Sequence, residues 1–198
     1  MRDMRRRSFL TQSVVALGCG IGSGSSIREV RAENERPGNE LRLPPEWQTG
    51  DDLSVAESAI NIWPDRQTSV IAMNGSMPGP TIRVNRGETF RSRVINHLNE
   101  PLVIHWHGIL APAGMDGHPR DAVASGKSYE VDFRVTQRAS TSWYHSHTDM
   151  RTAEQVYRGL AGFFIVEDPG EAALGLPTGD RDIPLLLADW RSNSAFQL

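Results

Sequence analysis

Residues 128–147 read Ser128-Tyr-Glu-Val-Asp-Phe-Arg-Val135, then Thr-Gln-Arg-Ala-Ser140, then Thr141-Ser-Trp-Tyr-His-Ser-His147. In the first run Tyr129, Val131, Phe133 and Val135 alternate with Glu130, Asp132 and Arg134. Alternation with period two marks a strand that is buried on one face and wet on the other. Thr141 to His147 reads as the next strand, and it carries His145 and His147 two positions apart. On a strand both imidazoles point one way and Ser146 points the other. A second pair, His105-Trp106-His107-Gly108, ends the apolar run that begins at Leu102. Two such strands side by side would present four imidazoles to one small volume. Four of the chain's six histidines fall in these pairs, a concentration that packing alone explains poorly. Imidazole suits copper, zinc, iron or nickel, and spacing alone leaves zinc open beside copper.

Outward from this stretch the pattern repeats. Asp52–Trp63 alternates loosely, and Val70–Met73 is a short apolar run stopped by Asn74-Gly75. Met77-Pro-Gly-Pro80 is a turn cluster. Thr81–Asn85 is strand-like, Arg86-Gly87 turns, and Thr89–Ile95 is strand-like again. In that run Phe90, Ser92 and Val94 share one face, and Arg91, Arg93 and Ile95 share the other. Ala111–Gly126 is a Gly/Pro-rich loop. Thr152–Arg158 reads as one or two helical turns. Leu160–Val166 is almost continuously apolar, as a strand covered on both faces would be. Ile183–Leu187 reads as one more strand. With 12 Pro, 18 Gly and 38% hydrophobic residues, the composition favours strands and turns over helices. Short strands closely spaced by turn signals imply an all-β sandwich or barrel.

Charge and cysteine content exclude other classes. The formal net charge is -3, which argues against nucleic acid as a general partner. One cysteine permits no intrachain disulfide. The N-terminus reads as an address. Arg5-Arg-Arg-Ser-Phe-Leu10 precedes a weakly apolar stretch, Ser13–Ile21, that is too short and glycine-interrupted for a membrane span. A charged start, apolar middle and small-residue exit make a secretory signal over residues 1–32, with Val30-Arg31-Ala32 as the cleavage site. The double arginine resembles the twin-arginine type, which implies a periplasmic or otherwise exported protein. The bland reading is a basic tail. Without residues 1–32, which hold six arginines and two acids, 15 basic and 22 acidic residues remain. Cys19, in Ala-Leu-Gly-Cys, is a poor lipid-anchor site and leaves with the signal. Residues 33–51 form a polar, extended lead-in.

Taken in order, Asn74-Gly-Ser-Met-Pro-Gly-Pro-Thr-Ile-Arg83, Arg86-Gly-Glu88, His105-Trp-His-Gly108, Trp143-Tyr-His-Ser-His147 and Gly159-Leu-Ala-Gly-Phe-Phe-Ile-Val-Glu-Asp168 resemble the first cupredoxin (plastocyanin-like) domain of multicopper oxidases, the laccase-like and copper-resistance group. The resemblance runs through residues 52–190. It implies a Greek-key cupredoxin-like β-sandwich over 52–168, with 169–198 a linker and the start of a second domain. It also implies copper: His105 on a type 2 ion, and His107, His145 and His147 on a type 3 pair. In such a centre a reductant, cuprous ion or phenolic, is oxidised one electron at a time and dioxygen is reduced to water. Asp116 matches a family acid near the cluster and by resemblance positions water or relays protons.

The departure from the family pattern is equally plain. A type 1 copper needs a cysteine thiolate with two histidines, and no cysteine follows Cys19. The chain is expected to supply half of a trinuclear ligand set, and to be inactive alone until C-terminal cupredoxin domains or a partner chain complete it. Two other readings stand beside this one: an exported protein that binds copper without turnover, and a cupredoxin-fold scaffold of the cell envelope. His97, at a strand end, and His118, in the access loop, read as surface residues. Asp116 before Gly117 could be an ordinary turn residue. Trp106, Trp143 and Tyr144 read as packing.

Overall fold

The computed structural model describes residues 41–198; the expected signal at 1–32 and residues 33–40 of the lead-in lie outside the described residues. Among the described residues eight strands form two four-stranded sheets. They are β1 (Leu53–Trp63), β2 (Arg66–Met73), β3 (Ile82–Asn85), β4 (Thr89–Asn96), β5 (Ile104–His107), β6 (Ser128–Arg134), β7 (Ser140–Ser146) and β8 (Ala161–Glu167). The first sheet runs β2-β1-β4-β6 and the second β3-β8-β7-β5. β1 lies parallel to β4 and β3 parallel to β8; the other neighbours are antiparallel. From β2 to β7 each connection carries the chain across to the other sheet, so the architecture is the all-β Greek-key sandwich that the resemblance implied. Among the described residues no helix is long and apolar enough to cross a membrane.

The alternation read from sequence is the alternation observed. Along β4 Phe90, Ser92, Val94 and Asn96 are buried while Thr89, Arg91 and Arg93 are exposed. Along β6 Val131 and Phe133 are buried between exposed Glu130, Asp132 and Arg134. β8 is buried from Ala161 to Val166, on both faces. Phe90 joins the layers. Its ring lies 5.6 Å from Phe133 in its own sheet, 5.0 Å from Trp106 and 5.1 Å from Phe164 in the other, all edge-on. Such contacts add to the area each ring removes from water.

Two segments depart from the expectation. Ile183–Leu187 forms no strand, and Ile183, Leu185 and Leu187 stay exposed. A strand needs a partner for its backbone N–H and C=O groups, and among the described residues none runs beside it. The lead-in, in contrast, contributes to the core. Trp47 is buried and packs 5.1 Å from Phe90, held by its N–H to Thr81 O (2.9 Å) and its indole N–H to Asp51 O (3.0 Å). Two short helices complete the frame: α1 (Thr152–Tyr157), between β7 and β8, and α2 (Pro169–Ala172), capped by the Asp168 carboxylate. After α2 the chain returns. Trp190 donates its indole N–H to Tyr157 O (2.9 Å), and Gln197 bonds the open backbone of β2 at Gln67 and Ser69.

Candidate metal centre

β5 is an edge strand of four residues, and its register against β7 sets His105 opposite His145 and His107 opposite Trp143. The pleat does the rest. Trp106 and Tyr144 turn inward, fully buried, while His105, His107, Trp143 and His145 share the outer face of the second sheet. The ring of His105 lies 5.6 Å from that of His107, 5.5 Å from His145 and 5.2 Å from His147. The donor nitrogens of His105, His107 and His145 fall within 4.8 Å of one another. His147, just past the end of β7, joins the ring cluster at its margin, 6.1 Å from His145. All four histidines singled out in the sequence are therefore brought together. His97 and His118 are exposed and stay apart; His118 caps the 3-10 turn Pro119–Asp121 by accepting from Arg120 N–H.

Each ring is oriented by the backbone. His105 Nδ1 meets Asp116 O at 2.6 Å, His145 Nδ1 meets Ser146 O at 2.7 Å, and His147 Nδ1 meets Gly117 O at 3.0 Å. A carbonyl only accepts, so these Nδ1 atoms carry the protons and the Nε2 lone pairs are left for a cation. His107 differs: its Nδ1 faces His145 Nε2 at 3.3 Å, a pair that a shared proton or a metal satisfies. Burial, the largest cause, holds His145 below the ordinary histidine range; the Ser146 carbonyl opposes it, and His105, His107 and His147 reinforce it. A neutral imidazole is the form that binds metal. Trp143 stacks on His145 at 4.2 Å and on His107 at 5.1 Å, which stiffens both rings.

The loop after β5 contributes what sequence reasoning missed. Met115 O accepts from the Trp106 indole (2.9 Å), and the next two carbonyls accept from His105 and His147. Three successive peptide groups thus clamp one core ring and two cluster rings. Gly117 permits it: with φ +75, a Cβ there would overlap the Ile104 carbonyl. The Asp116-Gly117 pair was the signal. Asp116 itself lies at the cluster, its Oδ1 buried, without a hydrogen-bond partner and 3.3 Å from His105 Nδ1. A cleft of about 400 Å³ opens beside His145 and Trp143, walled by Val156 and Tyr157 of α1 and by Trp190.

Imidazoles with their outer nitrogens fixed by carbonyls, set beside an unsatisfied carboxylate oxygen, fit a copper ion of the N/O-ligated kind. The comparisons agree in class. The family described as multicopper oxidase matches residues 54–171, more than half of the chain. Among curated proteins, the chain is 37% identical over 203 residues to copper resistance protein A of Escherichia coli, covering 98% of this chain and 30% of that one. It is 36% identical over 192 residues to cell division protein FtsP of Proteus mirabilis, covering 94% and 40%. Among solved structures, McoA multicopper oxidase of Aquifex aeolicus superposes with TM-score 0.72 at 34% identity, covering 79% of this chain and 37% of that one. The fold is cupredoxin-like, and the chain belongs to the multicopper oxidase family. It spans about a third of the length of the curated relatives it matches.

Proposed function

We propose that this chain is the N-terminal cupredoxin domain of an exported multicopper oxidase, and that it supplies half of the ligands of an oxygen-reducing trinuclear copper centre. The observation that carries this reading is the convergence of four imidazoles on the outer face of the second sheet, three of them with Nδ1 committed to a backbone carbonyl. In the proposal His105 is the type 2 ligand, and His107, His145 and His147 are type 3 ligands. Copper held there supplies reversible one-electron chemistry, which suits the oxidation of cuprous ion or a phenolic donor coupled to the reduction of dioxygen to water.

The protein's own contribution is orientation and proton handling. The Asp116 and Gly117 carbonyls hold His105 and His147, and Trp143 shields one side of His145 and His107. In the proposal Asp116 holds a water or passes a proton beside His105; its buried, unpartnered Oδ1 supports this reading. The exposed edge of His107 leaves the cluster open on the side where the remaining ligands have to enter. Those ligands, and the cysteine of an electron-entry site, are assigned to further cupredoxin domains or a partner chain. Residues 52–168 are taken as the domain, 33–51 as its lead-in and 169–198 as linker and onset of the next. Export rests on the twin-arginine pattern of residues 1–32. Relatives named for copper resistance and for cell division cover this chain about equally, so the histidine cluster, not the names, favours the copper reading over a copper-free scaffold.

The test is copper binding by the purified chain, measured by equilibrium dialysis, beside a His105→Ala/His145→Ala variant. Stoichiometric copper that is lost in the variant is expected, with no oxidase turnover by the chain alone. Copper retention unaffected by the double substitution would refute the ligand set. Oxidase activity of the isolated chain would refute the division of labour.

A further inference from the structure

Helix α1 buries one side chain completely, and it is a glutamine. An amide taken out of water is costly unless every polar atom finds a partner, and Gln155 finds them all. Its Nε2 donates to Glu100 Oε1 (2.9 Å) and to Pro101 O (3.1 Å), while its Oε1 accepts from the Ser146 hydroxyl. Ser146 has one proton to give, and it goes to Gln155. Thr148 Oγ1, 3.3 Å from Ser146 Oγ, therefore turns its own proton to Ser146 and accepts the Val103 N–H at 3.1 Å. Hydrogen-bond direction is thus set along one path: Val103 N–H to Thr148, Thr148 to Ser146, Ser146 to Gln155, and Gln155 to residues 100 and 101.

That path joins the two strands that carry the histidines. Residues 100–103 lead into β5, and Ser146 and Thr148 flank His147 at the end of β7. Ser146 stands between His145 and His147 and points to the opposite face. The β5–β7 ladder covers only Ile104 to His107, and among the described residues no strand pairs with the other edge of β5. Beyond that ladder, His147 N–H donates to Val103 O (2.9 Å), next to the glutamine path. Four residues of edge pairing hold register weakly; a buried, fully satisfied polar network holds it well.

We propose that Gln155 is a positioning residue for the histidine cluster: through Ser146 and residues 100–101 it fixes the β7 pair, His145 and His147, against the β5 pair. It touches no ligand atom. Its effect on copper affinity rests on the copper reading above; its effect on the rings does not.

The experiment uses the full chain without metal and then with cupric ion. The variants are Gln155→Leu, Gln155→Glu, and Gln155→Glu combined with Glu100→Gln. Gln155→Leu leaves the Ser146 hydroxyl, Glu100 and Pro101 without their partner. Gln155→Glu sets two carboxylates together, and the double variant exchanges amide and acid so that the contact with residue 100 can re-form, while Pro101 O stays without its donor. Ring-nitrogen NMR of the metal-free protein is the first readout. In Gln155→Leu the His145 and His147 signals are expected to move and their Nδ1 protons to exchange faster, while amide protection around Phe90 is kept. Cupric affinity, by competition with a chelator, is expected to fall on the order of 10- to 100-fold, the usual cost of losing support behind a ligand. The double variant is expected to restore both readouts in part relative to Gln155→Glu.

Unchanged ring signals in Gln155→Leu would overturn the proposal. Should Gln155→Leu fail to fold, the exchanged pair decides: a double variant as impaired as Gln155→Glu overturns it, and restoration supports it. If the unsubstituted chain binds copper no better than the His105→Ala/His145→Ala variant, the copper reading fails, and the ring signals alone judge the positioning role.

Discussion

The first sheet turns Arg91, Arg93, Glu130 and Asp132 outward; the second turns out His105, His107, Trp143 and His145. Both sheets point their alternate residues at the same Phe90-centred interior. Their outer faces therefore carry the difference. On the first sheet two arginines have neighbours of opposite sign: Arg91 meets Asp132 at 2.8 Å and Arg93 meets Asp52 at 2.5 Å, with all four side chains substantially exposed. That is a solvated face. On the second sheet His105 and His145 each turn Nδ1 to a backbone carbonyl, His107 faces His145, and Trp143 stacks on His107 and His145. Pattern alone does not separate the two faces, since both read as the outer half of an alternating strand. The chemistry of the residues at those positions separates them.

Removing what the sheets share should have the largest effect. Phe90→Ala is expected to cost about 3–5 kcal/mol, since it empties the contact among Trp47, Trp106, Phe133 and Phe164. Denaturant unfolding would measure it, and both faces should be lost together. A cost well under that range would mean the layers are held elsewhere.

Gly117→Ala should damage the second face alone. The new Cβ collides with the Ile104 carbonyl at a backbone angle that L-residues avoid, so the loop must move and take two carbonyls away from His105 and His147. The expected stability loss is about 1–3 kcal/mol, with copper affinity down roughly 10- to 100-fold. Isothermal titration and thermal unfolding on the same samples would separate these effects; unchanged affinity would show that the clamp is dispensable.

Asp168, at the end of β8, supplies an acid-dependent contribution. Its carboxyl is held below the ordinary aspartate range, first by the Ala139 N–H at 3.0 Å and then, against burial, by the Gly170 N–H at 2.7 Å. A depressed folded-state pKa stabilises above the unfolded value, and the gain is lost as pH falls through the folded one. Asp168→Asn should therefore flatten the stability profile below about pH 4, near the ordinary aspartate pKa, and lower stability at neutral pH. Equal acid slopes for the two proteins would remove the assignment.

The smallest effect belongs to the first sheet's outer face. Arg91→Ala should change stability by about 0–1 kcal/mol, as exposed ion pairs do, and leave copper binding untouched. A larger loss would mean that the charged face does more than stay wet.

Sequence and structure agree where an element's environment is local and periodic. β4 and β6 were legible because each buries alternate residues, and β8 because both its faces are covered. The two histidine pairs were legible because a strand's pleat sets residues two apart on one face. Trp47 was not, because its polar, proline-flanked surroundings show no period; its burial comes from a single bridge between Glu46 and Thr81, 35 residues on. Ile183–Leu187 misled in the opposite direction, since a strand-like run without a neighbour gains no ladder. The Gln155 network also left no periodic trace, because its members come from three separate segments.

By itself the sequence determined which residues face inward on each strand, which four imidazoles share a face, and that no thiolate accompanies them among residues 41–198, because these follow from side-chain chemistry and a two-residue repeat. Only the tertiary structure decided that β5 pairs with β7 so that His105 meets His145, that the Asp116 and Gly117 carbonyls select the free nitrogen of two rings, and that a buried glutamine ties the strands together. Those outcomes depend on which distant backbone groups lie within about 3 Å of one another, and hydrogen-bond geometry at that range is set by how the whole chain packs.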